Sequence, residues 1–367
     1  MKAIFTDACI QKNDPNCGGT MFRNARMIQI AVLAIAFIAP LGLSAISQAA
    51  PLFLTFEPGA RANGMGRAYT AVADDAYAGW WNPAAMAFNR KTQLTATHMP
   101  WMVGAGAGFD DMFHQYYGWN QYFDGIGNLG AHITWLDAGT QMQMDEAGNE
   151  LGEFHTFEAA FAMGYAYEMV PDKIGLGGNF KIIYSYLAPG TGNTDSEGKT
   201  FGYAFDIASK FNDVAGIEGL DAAAVIQNIG PNVTYVNEAQ SDPLPMTIRL
   251  GAAYQVMDSQ INDLKVSVEA SKILANEDPI FQRFITGFEH MKETILATGA
   301  EYTYLDLITL RAGYFFDDAG QVKGPSFGAG FQYSFSQRYK LTADFGMITG
   351  GKLINDYNKV FSLGFEF

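Results

Sequence analysis

Thr156-Phe157-Glu158-Ala159-Ala160-Phe161-Ala162-Met163-Gly164-Tyr165-Ala166-Tyr167-Glu168 is the stretch on which the reading of the fold turns. A strand sends alternate side chains to opposite faces. Phe157, Ala159, Phe161, Met163, Tyr165 and Tyr167 fall on one face, and Glu158, Ala160, Ala162, Gly164, Ala166 and Glu168 on the other. One face is large and apolar, the other small or polar, which is the period-two signature of a strand.

The arrangement repeats along the chain. Ile174, Leu176, Phe180, Ile182 and Tyr184 oppose Lys173, Gly175, Gly177, Asn179 and Lys181; Phe201, Tyr203, Phe205, Ile207 and Phe211 oppose Gly202, Ala204, Asp206 and Lys210. Met246, Ile248, Leu250, Tyr254 and Val256 oppose Thr247, Arg249, Gly251 and Gln255, and Leu264, Val266 and Val268 oppose Lys265, Ser267 and Glu269. Further segments carry Phe327, Phe331, Tyr333 and Phe335, then Leu341, Phe345 and Met347. With weaker candidates at 92–103, 112–122, 126–137 and 220–229, the count reaches about fourteen, an even number as bacterial membrane barrels require.

A soluble sandwich also alternates. Its outward face, however, is usually rich in Lys, Glu and Thr, whereas here the second face is mostly Gly, Ala and Ser, which suits an enclosed lumen or contact with a plug. Aromatic residues gather toward segment ends, as at Tyr184 and Tyr186 or Phe315 and Phe316, where rings with one wet edge favour the headgroup boundary. The segment Phe361-Ser362-Leu363-Gly364-Phe365-Glu366-Phe367 alternates to an aromatic end, and Phe361, Leu363, Phe365 and Phe367 resemble the insertion signal read by the barrel assembly machinery. The fold expected is therefore all-β, a transmembrane antiparallel barrel of about fourteen strands in the bacterial outer membrane, in contact with its lipid.

Upstream, Arg23 and Arg26 lead into an apolar run from Met27 to Ile46, followed by Ser47-Gln48-Ala49-Ala50-Pro51 with small residues where a signal peptidase reads. This is the pattern of a secretory signal. A membrane anchor is the rival reading, but no basic cluster follows the run. Met21 is a second candidate start, in which case Cys9 and Cys17 precede the protein; their spacing matches no zinc pattern. The organisation expected is 1–49 as upstream segment and signal peptide, 50–91 as an amino-terminal hatch, and 92–367 as the barrel.

Residues 53–89 lack alternation and include Gly59, Gly64 and Gly66, an Ala73-Asp74-Asp75-Ala76 step, and Asn82-Pro83-Ala84. Proline fixes φ and lacks a donor, Asn82 can satisfy a neighbouring backbone group, and Ala84 permits close approach to a wall. Asp74 and Asp75, adjacent in sequence, are expected to point apart, as a helix cap or solvated turn. Together these motifs resemble the start of the PorV/PorQ family and, more distantly, of FadL-like transporters, in which such a segment forms a small hatch inside a fourteen-stranded barrel. A second likeness lies in Asn228-Ile229-Gly230-Pro231 followed by Leu244-Pro245, similar to that family's Asn-Leu/Ile-Gly turn and its Leu-Pro entry into a strand. The resemblance implies a non-enzymatic part in type IX protein secretion, with the secretion translocon and cargo carrying C-terminal sorting domains as partners. Loops around 138–155, 188–199, 231–244 and 273–293 would then carry recognition. Uptake of long-chain fatty acids or other hydrophobic molecules is the alternative the FadL likeness implies, and an open diffusion porin is a third possibility.

Composition and spacing exclude other classes. A net charge of −15 leaves no clustered Lys and Arg for nucleic acid. His98, His114, His132, His155 and His290 are dispersed, and no Gly-x-Ser-x-Gly elbow accompanies them. No cofactor or metal is expected. Gly104, Gly106 and Gly108 lack the Lys and the helix of a phosphate loop. Residues 278–293 place Phe281, Phe284, Ile285 and Phe288 at near-helical spacing, so that segment reads equally as a short amphipathic helix in an external loop or as one more irregular strand.

Overall fold

The computed structural model describes residues 49–101, 111–144, 148–189, 197–235, 241–276, 278–288, 294–318, 320, 322–336, 338–349 and 357–367. Residues 1–48 of the upstream segment with its signal, both cysteines, His290 and the Gly104, Gly106 and Gly108 run lie outside them. In chain order the strands are β1 (Gln93–Pro100), β2 (Phe113–Phe123), β3 (Gly127–Met144), β4 (Glu150–Val170), β5 (Ile174–Ala188), β6 (Gly198–Phe211), β7 (Leu220–Ile229), the two-residue β8 (Val233–Thr234) and β9 (Ser241–Asp242), β10 (Thr247–Asp258), β11 (Asn262–Ile273), β12 (Ile295–Tyr304), β13 (Ile308–Asp317), β14 (Val322–Ser334), β15 (Lys340–Thr349) and β16 (Tyr357–Glu366). Fourteen form a closed antiparallel barrel in which β1 pairs β16 from Gln93↔Glu366 to His98↔Phe361, while β8 and β9 make a separate ribbon. Closure leaves no edge for lipid to meet, the condition for a sheet to span a bilayer.

The apolar phase of every strand faces out. On β6, Phe201, Tyr203, Phe205 and Ile207 are exposed while Thr200, Ala204 and Asp206 are buried. Such an exterior is inverted relative to a water-soluble barrel and matches a lipid-facing band. Two residues depart from the alternation reading. Phe315 and Phe316 are adjacent, so only one can face lipid; Phe315 is 3% exposed in the lumen, under the Arg67 guanidinium at 4.6 Å. Met246 is 1% exposed because β10 begins one residue later and the preceding chain turns inward.

Strand ends assign the two rims. β2 to β3, β4 to β5 and β12 to β13 are joined by short turns, the periplasmic pattern, and the long connections lie at the other, extracellular end. A spanning strand needs about 9–11 residues. β3 and β4 have 18 and 21 residues, so this side of the wall rises above the membrane. Within 278–288 the chain forms a helix, α3 (Ile280–Thr286), after α1 (Ala60–Gly64) and α2 (Ala78–Trp81) in the lumen.

Candidate functional site

The lumen is occupied by residues 50–91. The segment begins at the extracellular mouth, where the Ala50 N–H donates to the Pro243 carbonyl (3.0 Å). It leaves at the periplasmic rim, where Thr92 and Phe367 exchange backbone hydrogen bonds, both 2.9 Å. Between them it touches much of the wall, and the small face of the strands explains how. A Cβ on Gly66 would lie 2.7 Å from the Thr298 carbonyl oxygen and from the Tyr314 nitrogen; one on Gly328 would lie 3.1 Å from the Gly64 Cα. On the opposite wall a Cβ on Gly177 would lie 2.6 Å from the Ala84 nitrogen. Contacts of this kind put hatch main chain directly on wall main chain, which only glycine allows.

Two buried ion networks add charge to these seats. In the first, Arg249 on β10 donates to Glu57 (2.9 Å) and to Glu269 on β11 (3.0 Å), and its guanidinium lies 5.1 and 5.0 Å from the rings of Trp80 and Trp81. The other Glu269 oxygen accepts from the N–H groups of Tyr69 (3.0 Å) and Thr70 (2.9 Å), and Arg67 reaches Glu57 at 2.9 Å. In the second, Arg61 of α1 pairs with Glu301 on β12 (2.7 Å) and with Asp74; Arg311 on β13 joins Glu301 to Asp344 on β15, both at 2.6 Å. Buried charges of this kind are tolerable only when every partner is in place.

Asp74 and Asp75 thus converge on one guanidinium rather than pointing apart. The Asp75 carboxylate lies 3.5 Å from Arg61, accepts from the Tyr69 hydroxyl (2.7 Å), and accepts from the Tyr77 N–H (3.0 Å) in a turn leading into α2. Both carboxylates lie within the barrel, yet 51% and 30% of their side-chain surface opens on a polar chamber of about 320 Å³ below the hatch. Burial raises the Asp75 carboxyl to about 6, against the pull of Arg61 and with the help of the Asp74 charge. For Asp74, burial also pushes upward, but Arg61 outweighs it and holds that carboxyl well below the usual range. An acid raised above its ordinary 3.8 binds its proton more tightly when folded, so its contribution falls as pH climbs from about 4 to about 6 and stays low above. Asp75→Asn is accordingly expected to raise the unfolding midpoint at pH 7 and to match the unsubstituted protein near pH 4. Equal midpoints at both pH values in urea titrations would contradict this.

Asn82 is buried; its side-chain oxygen accepts from the Ala84 N–H (3.1 Å) and its amide donates to the Thr70 carbonyl (3.0 Å), tying two passes of the hatch. Pro83 opens a 3-10 turn, Pro83–Phe88, whose Ala84 abuts Gly175 and Gly177. The second motif also folds on itself. Asn228 has φ of 60°, donates to the Pro245 carbonyl (3.1 Å) and accepts from Lys181 (2.8 Å), while Gly230 packs on Leu244 and the Tyr203 carbonyl. Leu244 joins Phe53, Leu54, Ile183 and Val233 in an apolar cluster at the upper lumen. Phe361, Leu363 and Phe365 all lie on the outward phase of β16.

Sequence reasoning missed the ion networks. Their signal was present as Arg249, Glu269 and Glu301 at inward-phase positions of otherwise greasy strands, where a charge has no solvent and must have a partner. His114 and His132 are buried in the wall apart from any acidic cluster, and no group of three His, Cys, Asp or Glu suited to a metal occurs among the described residues. On α3, Arg283 is 2% exposed and donates to Asn232 and to the Asp278 carbonyl, whereas Phe281 and Ile285 are 85% and 76% exposed. The helix therefore turns its charged residue inward and presents Phe281 and Ile285 outward, with Ile280 and Phe284 half-buried.

The family model described as Type IX secretion system protein PorV matches residues 42–280. Among solved structures, the Pseudomonas putida toluene transporter TodX is similar at 11% identity, over 84% of this chain and 97% of that one, with a TM-score of 0.51. The Ralstonia pickettii toluene transporter TbuX is similar at 10% identity, over 84% and 98%, with a TM-score of 0.51. A Pseudomonas aeruginosa FadL homologue aligns at 12% identity over 89% and 99%, with a TM-score of 0.48. Likeness at this level of identity concerns the fold. No curated protein sequence matches.

Proposed function

We propose, since this chain belongs to the family of the type IX secretion system protein PorV, that it works in protein secretion at the outer membrane, holding or shuttling cargo that carries C-terminal sorting domains. The match over residues 42–280 is the observation that carries this reading. A lumen occupied by the hatch supports it, because among the described residues the hatch packs main chain against the wall, which suits a membrane-fixed holder better than a wide pore. Recognition then belongs to the extracellular loops, and the outward apolar face of α3 gives one of them a contact surface. No catalytic step is needed for such a role.

In a strain lacking the gene, sorting-domain proteins are expected to accumulate inside the cell envelope, and the intact gene to restore their release. Phe281→Ser combined with Ile285→Ser should restore it about tenfold less well, in keeping with the loss of two contact residues at an interface, while the barrel remains folded on gels. Normal release of sorting-domain proteins without the gene would overturn the reading. Passage of hydrophobic molecules is the second reading, favoured by the apolar cluster around Phe53, Leu54 and Leu244. That cluster is packed with the chain's own side chains, and a fatty acid retained in the lumen of the purified protein would speak for transport.

A further inference from the structure

Among the depressions along the seam where β16 closes on β1, two are stacked upward from the periplasmic rim. The lower, about 380 Å³, lies at the periplasmic strand ends and is lined by Arg90, Lys91, Thr92, Tyr122, Arg338 and Phe367. The upper, about 520 Å³, is an apolar groove on the lipid-facing wall, in which Ala96 and Ala131 leave room between Leu94, Trp119, Leu363 and Phe365. The two follow the same strands. Leu94 stands two residues above Thr92 and Phe365 two above Phe367, a rise of about 7 Å.

Three cations meeting in one pocket runs against the composition, which has 38 acidic residues to 23 basic ones. The opposite arc of the same rim carries acids, Asp213, Glu218 and Asp306 in its turns and Asp258 at the end of β10. Within the pocket, Arg90 pairs with Glu168 and lies 4.8 Å from the Tyr122 ring, and Lys91 reaches Glu366 at 2.6 Å. Arg338 lies 5.4 Å over the Tyr339 ring and has no ion-pair partner among the described residues. Each of these guanidinium groups lies against an aromatic ring at the periplasmic rim, and basic side chains near a membrane surface attract anionic lipid.

We infer that this seam binds a phospholipid of the periplasmic leaflet, with its phosphate in the Arg90, Lys91 and Arg338 pocket and an acyl chain in the Ala96 and Ala131 groove. An acidic protein segment could answer the cations but has no use for the groove, which opens only to the bilayer core.

The test uses the full chain, folded in detergent and equilibrated with mixed micelles holding equal phosphatidylglycerol and phosphatidylcholine, with retained lipid read by native mass spectrometry. Phosphatidylglycerol is expected to be retained at least about tenfold over phosphatidylcholine, since each basic residue near a membrane surface contributes about 1 kcal/mol. Arg90→Gln with Arg338→Gln should abolish that preference. Ala96→Trp, or Ala131→Phe should the first variant not fold, should lower retention of both lipids without changing charge. Variants are scored only when the heat-modifiable folded band persists. Equal retention of the two lipids, indifference to the charge variants, or indifference to the groove variants would each overturn the proposal. Displacement of the lipid by inorganic phosphate would do so too, since it marks a free-anion site.

Discussion

Gly313→Val is expected to leave little or no folded barrel in the outer membrane. A Cβ at this position would stand 2.7 Å from the Met65 carbonyl oxygen and closer still to the backbone of Gly66. Neither side can give way. β13 is held by its ladders to β12 and β14, and the hatch backbone at Met65 is braced by its contact with Gly299 on β12. Overpacking a soluble core, where side chains can still rearrange, costs about 1–3 kcal/mol. With main chain on both faces the relief available is smaller and the cost greater. Ala312→Val, one residue away on the lipid side, is the matched control and should be silent. The readout is the heat-modifiable band on gels and protection of the hatch from protease; a Gly313→Val protein that behaves like the control would refute the close seat.

Arg249→Met should destabilise the folded protein by about 3–5 kcal/mol, the range for stranding buried charges by removing their partner. It leaves Glu57 and Glu269, both buried, without the guanidinium between them. Glu269 would retain only the N–H groups of Tyr69 and Thr70, and Glu57 only Arg67. Adding Glu269→Gln to Arg249→Met should recover part of the loss, because one stranded charge is then gone. Urea unfolding followed by tryptophan fluorescence reads both effects, since Trp80 and Trp81 lie against the same guanidinium. If the single and double substitutions unfold together with the unsubstituted protein, the network does not hold the hatch.

The wall was legible because lipid sets one demand on every strand: an apolar side chain at each second position for the depth of the bilayer. β4 shows it from Phe157 to Met169, and β5 and β6, the latter from Phe201, break it only at Gly178 and Ser209. β1 shows it poorly, since its outward phase holds Leu94, Ala96 and His98, and its eight residues are few. The hatch was visible as a gap in alternation, and the Asn82-Pro83-Ala84 turn could be read locally. What joins hatch to wall could not. Arg61 meets Glu301 across 240 residues and Glu57 meets Arg249 across 192, and an inward-phase charge calls for a partner without saying which one. The equal readings of 278–293 resolve to helix over Ile280–Thr286, where Pro279 stands just before the first turn, the position at which a missing N–H does least harm.

The path of residues 50–91 has a mechanical side. A cork is held by friction around its circumference and leaves in one piece through one end. This segment is fastened at both rims, by Ala50 to Pro243 above and by Thr92 to Phe367 below, with the wall closed around everything between. It is a strap. The lower buckle continues the β1–β16 ladder, so emptying the lumen without opening the wall must begin at the upper one.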